Sequence, residues 1–393
     1  MAGAARPAAN SSVAADALNA VFLMFRSLTS PAPLIGCSSV ETKLALANHV
    51  CKSFYASDRR NGALRLDEWT FTALAWVCLA AVWLFLMPKK TRGKAWHYVM
   101  MAAPLAAFAA AFAAPPSLLR ETLFIWLASG GGVLAVVALG WLAGTVKRNH
   151  GLMDVAYPLA PAAAAGTGFA LSGLPLDLFS DLFLLSLGVW SIRLAVQTWG
   201  HNIHAERQPY AHWRKSHGPN WLWWSGFQVH LLQGVTVWLW CAPFAFILTA
   251  PTPRPTALLA LGVIVWLAGF LLQSTADRQL AAFKRAPANR GGLLDTGAWA
   301  FVRHPNYLGE SVMWAGWFVL ALAHPWGWVT IFAPLYTGWF MGYASAAPFK
   351  EQHMARTRPE AWAAYCARTP RFLPWPRPKA AGNSAPKTEG ADA

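Results

Sequence analysis

Long apolar stretches recur along this chain between short polar loops, each close to the ~20 residues that a bilayer core requires. They predict nine helical spans: Trp69–Met87, His97–Ala114, Thr122–Gly144, Val155–Leu174, Leu178–Gln197, Phe227–Thr249, Thr256–Leu272, Tyr307–Ala323 and Trp326–Ala346. The second is built largely of alanine. The third carries Gly130–Gly132, where a kink is expected. Residues 1–68 form a polar, Ala-rich lead-in whose apolar stretch, Ala20–Phe25, is too short to span and ends at Arg26. It makes a poor signal peptide; a targeting role is the expectation for the lead-in. Residues 377–393 are rich in Pro, Ala and polar side chains, and disorder is expected there. The fold class read from this pattern is all-α, a polytopic transmembrane helical bundle.

Nine spans imply that alternate loops collect the Lys and Arg. They do. The loops after the first, third, fifth and seventh spans, with the C-terminal segment, hold 22 basic residues, against two (Arg120 and Arg254) in the four short opposite loops. The large loops and the C-terminus are therefore assigned to the cytosol, and the lead-in to the far side. Most of the net charge of +15 then reflects topology rather than nucleic-acid binding. Only 12% of the 393 residues are charged, about half the share in ordinary soluble domains, and 56% are hydrophobic. The five cysteines are scattered without metal-ligand spacing, so no metal is expected; Cys37 and Cys51 could pair in an oxidising lumen. No Ser/His/Asp order, HExxH, P-loop or kinase signature is present, and no GxGxxG follows a strand.

Candidate chemistry concentrates in three places. The first is GAWAFVRHPNYLGE, residues 297–310. Pro305 reads as the first residue of a helix, where its missing N–H would be unpaired anyway. Asn306 and Glu310 then share a face, with Tyr307 beside them. A helix start suits phosphate, Arg303 adds a planar donor fork, and His304 stands next to it. Glu310 lies one turn into a membrane helix, where an ionised carboxylate is costly unless paired. Read as a loop, Gln273–Glu310 further contains Asp277, Arg278, Gln279, Lys284, Arg290 and Asp295, a set suited to a dinucleotide: cations for phosphates, acids for ribose hydroxyls or carboxamide.

The second place is the C-terminal segment with Glu351 and Tyr365, neither of which serves membrane anchoring. Lys350, Arg356 and Arg377 fit anchoring. The third is KRNHGLMDVAYP, VWSIRLAVQTWG and HAERQPYAHW. Asp154 and Arg193 are each costly alone in hydrocarbon and could pair across helices. For Glu206, Arg207, Tyr210 and Arg214 a solvated loop face is an equally direct reading.

DRQ, RHPNYLGE, SAAPFKEQ and YCARTPRFLP, in that order, resemble the steroid 5-alpha-reductase C-terminal domain, in particular the uncharacterised multi-pass branch of that superfamily. The resemblance covers about residues 120–376. It implies a seven-helix core open to lipid with NADPH entering from the cytosol, preceded by two extra spans over 69–119. It assigns the cofactor to Asn306, Glu310, Asp277, Lys284 and Arg303. Tyr307 and His304 belong to the same motif, Arg290 to the basic residues between, and Glu351 and Tyr365 to a C-terminal cofactor-side segment. One departure is Trp190, standing where steroid-type reductases carry the Tyr that polarises the substrate carbonyl; an indole N–H donates but does not give up a proton as a phenol does.

The expected function is an NAD(P)H-dependent reductase of a C=C bond in a lipophilic steroid, isoprenoid or fatty enone or enoyl substrate. Asp154, Tyr157 or Tyr210 would supply the donor. One alternative is a membrane methyltransferase using S-adenosylmethionine, since isoprenylcysteine carboxyl methyltransferases share an RHPxY loop. Another is a non-catalytic lipid-binding or structural subunit of a membrane assembly. The bilayer and a lipophilic small molecule are the expected partners, and the endoplasmic reticulum, or another organelle membrane, the expected location.

Overall fold

The computed structural model describes residues 95–114, 117–173, 177–344 and 346–374. The expected span Trp69–Met87, the lead-in, the Cys37–Cys51 pairing and the tail beyond residue 376 lie outside the described residues. Within them the chain is helical, without strands. Its helices of eight residues or more are α1 (Ala95–Ala113), α2 (Leu118–Val146), α3 (Met153–Ser172), α4 (Leu178–Asn202), α5 (Tyr210–His217), α6 (Leu232–Trp240), α7 (Ala242–Thr249), α8 (Thr256–Arg285), α9 (Pro305–Ala321), α10 (Phe332–Trp339), α11 (Ala346–Thr357) and α12 (Pro359–Arg368). Four paths, Leu118–Val146, Leu178–Asn202, Tyr210–Thr249 and Thr256–Arg285, are long and apolar enough to cross a membrane. The expected spans at α3 and α9 are a helix diluted by Pro158, Pro161 and small residues, and a helix of 17 residues.

The path from Tyr210 to Thr249 is the axis of the bundle. Its residues 234–250 are buried without interruption, and a helix apolar all round belongs in a core. α2, α3, α9 and α10 pack around it. α2 runs unbroken through Gly130–Gly132. There the glycines admit neighbours: a Cβ on Gly132 would lie 2.6 Å from the Ala163 carbonyl of α3. Just before them, Trp126 and Trp238 stack at 4.6 Å, and each indole N–H donates to the other's backbone carbonyl, at 3.2 and 2.9 Å.

α8 and α9 form the most extensive helix pair. Gly262 and Gly269 on α8, seven residues apart, meet Gly316 and Gly309 on α9, also seven apart. A Cβ on Gly269 would sit 2.5 Å from the Gly309 carbonyl oxygen, and one on Gly309 2.6 Å from the Gln273 amide. Backbones this close are the small-residue packing of membrane helices.

Three expectations change. Gln273–Arg285 is no loop, because α8 continues through it as one 30-residue helix. Polar residues end the apolar stretch at Leu272, but no Gly or Pro follows before Pro287 and the helix carries on. The ninth span is not one helix: a 3-10 turn at Gly327–Ile331, α10 and a π turn at Phe340–Ala344 share its length. The sixth begins earlier, at Tyr210, with a π turn at Ser225–Leu231. α9 does start at Pro305, with His304 as its N-cap residue.

Candidate functional site

Glu310 is buried on α9, 4% exposed, and two other helices bring it hydrogen-bond partners. Tyr157 of α3 donates its hydroxyl to one carboxylate oxygen. Gln273 of α8 donates its amide to the other at 2.9 Å. The Gln273 carbonyl accepts from the Arg193 guanidinium of α4. Arg193 pairs with Asp277 at 3.3 Å, one turn further along α8, and Asn306 donates to the other Asp277 oxygen at 3.2 Å. A continuous relay thus runs Tyr157–Glu310–Gln273–Arg193–Asp277–Asn306. It answers the cost of charge in a membrane interior by pairing Arg193 with Asp277 and giving each Glu310 oxygen a neutral donor. It also corrects the expected pairing of Arg193 with Asp154: Asp277, not Asp154, is its partner. Gln273 was missed; its signal is the four-residue spacing to Asp277 on one helix face.

Asp154 instead accepts from Tyr210 at 2.7 Å and from Asn202 at 3.0 Å. The loop before Tyr210 is no plain solvated face. Glu206 takes a two-pronged hydrogen bond from Arg214, at 2.6 and 2.9 Å, and the His150 amide N–H at 2.8 Å. Burial pushes the Glu206 carboxyl up, but the Arg214 and His150 hydrogen bonds outweigh it and hold the group below its ordinary value. His150 meets His230 ring to ring at 3.0 Å, and burial, helped by the Arg214 charge, lowers the His150 pKa to about 4.

Tyr307 lies within electrostatic reach of Glu310, Asp154 and Asp277. At an outer rim, Lys284 feels the charges of Lys350 and Arg207, and all three act on His201. All three are exposed, and none forms an ion pair with a carboxylate among the described residues. Lys284, read from the sequence as a loop residue, stands in the last turn of α8. Lys350 and Arg207, read as anchor and loop charge, join it because α11 and the α4–α5 turn end at the same rim. Arg290 is exposed in the turn after α8.

Arg303 and His304 are placed differently from the phosphate-facing fork expected of them. Arg303 is buried, 6% exposed. It donates to Glu351 at 2.9 Å and to the Thr369 carbonyl at 2.8 Å, and lies over the Trp362 ring. Arg371 reaches the other Glu351 oxygen at 2.7 Å, and His304 stands 3.3 Å from the first. Against the upward push of burial, these hydrogen bonds and the Arg303 charge bring the Glu351 pKa to about 2. Burial lowers the His304 pKa despite Glu351. Tyr365 donates to the Trp299 carbonyl. Together Arg303, His304, Glu351 and Tyr365 fasten the segment before α9 onto α11 and α12. The His304 ring also stacks on Tyr307, 5.5 Å between centroids.

Trp190 is fully buried, edge-on to Tyr157 at 6.0 Å and to Trp317 at 5.7 Å. Trp240 also packs edge-on to Tyr157, at 6.3 Å. The indole N–H groups of Trp190 and Trp240 find no acceptor. A phenol from α3, Tyr157, thus packs against the Trp190 position. Among the described residues no cluster of His, Cys, Asp and Glu suits a metal.

The profile of the family described as "Protein of unknown function (DUF1295)" matches residues 140–369. Delta(14)-sterol reductase LBR of Gallus gallus is 36% identical over 100 residues, 25% of this chain and 15% of that protein. Steroid 5-alpha-reductase DET2 of Arabidopsis thaliana is 38% identical over 79 residues, 20% of this chain and 28% of that protein. Delta(14)-sterol reductase TM7SF2 of Mus musculus is 28% identical over 173 residues, 38% of this chain and 39% of that protein. The chain therefore spans well under half the length of these relatives. No solved structure matches it. The match at 140–369 covers more than half of the chain and takes in the relay, the cation rim and the fastener, so the chain belongs to the DUF1295 family, a steroid 5-alpha-reductase C-terminal-like family of membrane proteins.

Proposed function

We propose that this protein is a membrane-embedded, NADPH-dependent reductase of a C=C bond in a lipophilic enone or enoyl compound. The observation that carries the reading is the polar relay from Tyr157 to Asn306 under a rim of three cations. The donor set fits the cofactor. Lys284, Lys350 and Arg207 suit its phosphates; Asp277, Asn306 and Glu310 suit its hydroxyls and carboxamide. NADPH, when bound, would supply the hydride. The likeness to sterol and steroid reductases supports the same chemistry.

The chain's own residues do the rest. Tyr157, packed against Trp190 and Trp240, gives its one hydroxyl proton to Glu310 at rest; with Glu310 protonated and donating to the phenol oxygen instead, that proton would turn to the substrate oxygen on which negative charge develops. A preorganised donor in a water-excluded site acts most strongly there. Glu310 fixes the position of the phenol oxygen, and Gln273 fixes Glu310. Tyr210, hydrogen-bonded to Asp154, is the second candidate donor. Arg303, His304, Glu351 and Tyr365 would act by holding the start of α9, which carries Asn306 and Tyr307, in register with Asp277.

Three phosphate-seeking cations favour NADPH over S-adenosylmethionine, which has no phosphate and carries a positive sulfonium. A non-catalytic subunit would need no hydroxyl aligned on Glu310. We place the protein in the endoplasmic-reticulum membrane with the cation rim cytosolic, its substrate reaching it from the bilayer. The test is deuteride transfer from 4-deuterated NADPH to a panel of lipophilic enones and enoyl compounds, followed by mass spectrometry. Label on the β-carbon of one compound, absent with Tyr157→Phe, is expected. No transfer to any compound, with methyl transfer from S-adenosylmethionine instead, would overturn the reading.

A further inference from the structure

Two buried imidazoles stand apart from the relay. His150 opens the 3-10 turn His150–Leu152 between α2 and α3, and His230 lies in the π turn Ser225–Leu231. Each is 1% exposed, and the His150 Nδ1 meets the His230 Nε2 at 3.0 Å. α2 makes the room for them. A Cβ on Gly144 would lie 2.8 Å from the His150 Nδ1; one on Gly140, four residues back on the same face, would lie 4.0 Å from the His230 Nδ1. π turns occur often at functional sites, and an ionisable side chain inside a membrane bundle marks one by default.

The pair has an outer and an inner end. Outside, the His150 amide N–H donates to Glu206, which also holds the partly exposed Arg214. Inside, the His230 Nδ1 is buried without a partner. A purely structural pair has no use for such an atom, because a buried nitrogen left unpaired is costly. Three residues further along the same helical path, Gln233 reaches the Tyr210 hydroxyl, and Tyr210 donates to Asp154 at 2.7 Å. The way back also closes. Asn202 donates to Asp154 at 3.0 Å, and Asn149, next to His150, donates to the Asn202 carbonyl at 2.6 Å. The imidazole pair and the Asp154–Tyr210 couple are thus two sides of one polar ring. Three residues of helix rise about 4.5 Å, a gap that one water closes with a hydrogen bond on either side.

Reduction of a conjugated C=C bond consumes a proton as well as a hydride. Hydride adds at the β-carbon, and the α-carbon then takes a proton. A phenol that gives this proton is left as phenolate and must be recharged from water before the next turnover. Tyr210, 6% exposed, has little contact with water of its own. A neutral imidazole carries a proton on one nitrogen and a lone pair on the other, so it takes up a proton at one end as it releases one at the other.

We propose that the His150–His230 pair is a proton port that recharges Tyr210 from the cytosolic side. A proton from water joins His150 as the His150 Nδ1–H bond breaks and that proton joins the His230 Nε2. The His230 Nδ1–H bond then breaks, and through the bridging water its proton forms the O–H bond of Tyr210. One proton enters, one phenolate is neutralised, and nothing is oxidised or reduced. Burial and the Arg214 charge keep His150 neutral at rest, so the pair passes protons rather than storing them. The proposal rests on the reductase reading, with Tyr210 as the acid for the α-carbon. His150 and His230 touch neither substrate nor cofactor; they act through Tyr210.

The experiment uses the full-length protein in lipid nanodiscs, NADPH deuterated at C4 and the panel of enones and enoyl compounds, read by rapid quench and mass spectrometry. His230→Ala should complete its first turnover at the wild-type rate, since Tyr210 starts protonated. Later turnovers should slow about 10²-fold, the lower end for a lost acid–base group. Added imidazole should restore them. His150→Asn should show the same burst. A structural role would slow the first and later turnovers alike and leave imidazole without effect, and that result would overturn the port. Should His230→Ala fail to fold, ¹⁵N spectra of the wild-type histidines decide: His150 and His230 are expected to exchange between tautomers, and one fixed tautomer in each would overturn the port. The two readings separate cleanly. Reduction by the wild type with no burst in either variant sinks only the port. No reduction of any compound in the panel sinks the reductase, and the port with it.

Discussion

Tyr157 and Glu310 lie 153 positions apart in sequence, yet they form the contact on which the functional reading turns. Tyr157→Phe removes one hydroxyl and leaves the ring to pack on Trp190 and Trp240. The expected outcome is unchanged NADPH affinity with turnover down about 10²–10⁴-fold, the range for a lost general acid, measured by single-turnover kinetics. Equal loss of cofactor affinity would show that Tyr157 holds the cofactor rather than the substrate. Glu351 makes a contrasting case. It is 7% exposed and shared by Arg303, Arg371 and His304. Breaking buried ion pairs by removing one partner costs about 3–5 kcal/mol, so Glu351→Leu is expected to lower the thermal midpoint strongly. A midpoint within a degree or two of wild type would contradict the fastener. The individual residues were legible as types: an acid inside a membrane helix, an Arg in the middle of α4. Their partners were not. Spacing tells which face of a helix a residue occupies, but not which helix lies opposite, and so Arg193 was matched with Asp154 when Asp277 is its neighbour.

The helix pair α8–α9 positions the site, and its spacing was written in the sequence as two Gly pairs seven residues apart. Gly309→Ala places a methyl where the Gln273 amide and Gly269 carbonyl each lie 2.6 Å away. Neither backbone can yield without separating the helices. Overpacking costs about 1–3 kcal/mol or more, and the displaced Gln273 would loosen Glu310 as well. Gly309→Ala is therefore expected to lower both thermal stability in detergent and NADPH affinity. Gly131→Ala, which meets nothing within 4 Å, is expected to change neither. Equal effects of the two substitutions would contradict this account. The start of α9 at Pro305 was legible from proline's missing N–H. The reach of α8 to Arg285 was not, because hydropathy reports where lipid contact stops rather than where the helix does. That error mattered: it read as loop the stretch that carries Gln273, Asp277 and Lys284 along one helix face.

For the whole molecule, charge and hydropathy set the layout. The basic residues gather at one end of the bundle, and the same end holds the cation rim and the fastener. Acid should loosen this end. The folded pKa of His150 is about 4, below the 6.5 of a solvated imidazole, so the unfolded chain takes up that proton first. The contribution of neutral His150 is full above pH 6.5 and is lost as pH falls toward 4. Glu351, at about 2 against an ordinary 4.5, loses its contribution at still lower pH, as pH falls from 4.5 toward 2. Thermal midpoints are thus expected to fall on acidification from pH 7 to 4, less steeply in His150→Asn. A flat profile over that window would count against the buried His150. The central claim concerns the polar region beneath the rim, and equilibrium binding of NADPH and of S-adenosylmethionine to the full-length protein in nanodiscs tests it most directly. The account predicts saturable NADPH binding, weakened about tenfold or more when Lys284 and Lys350 are both changed to Glu, and no S-adenosylmethionine binding. Saturable S-adenosylmethionine binding, or NADPH binding indifferent to both charge reversals, would contradict it.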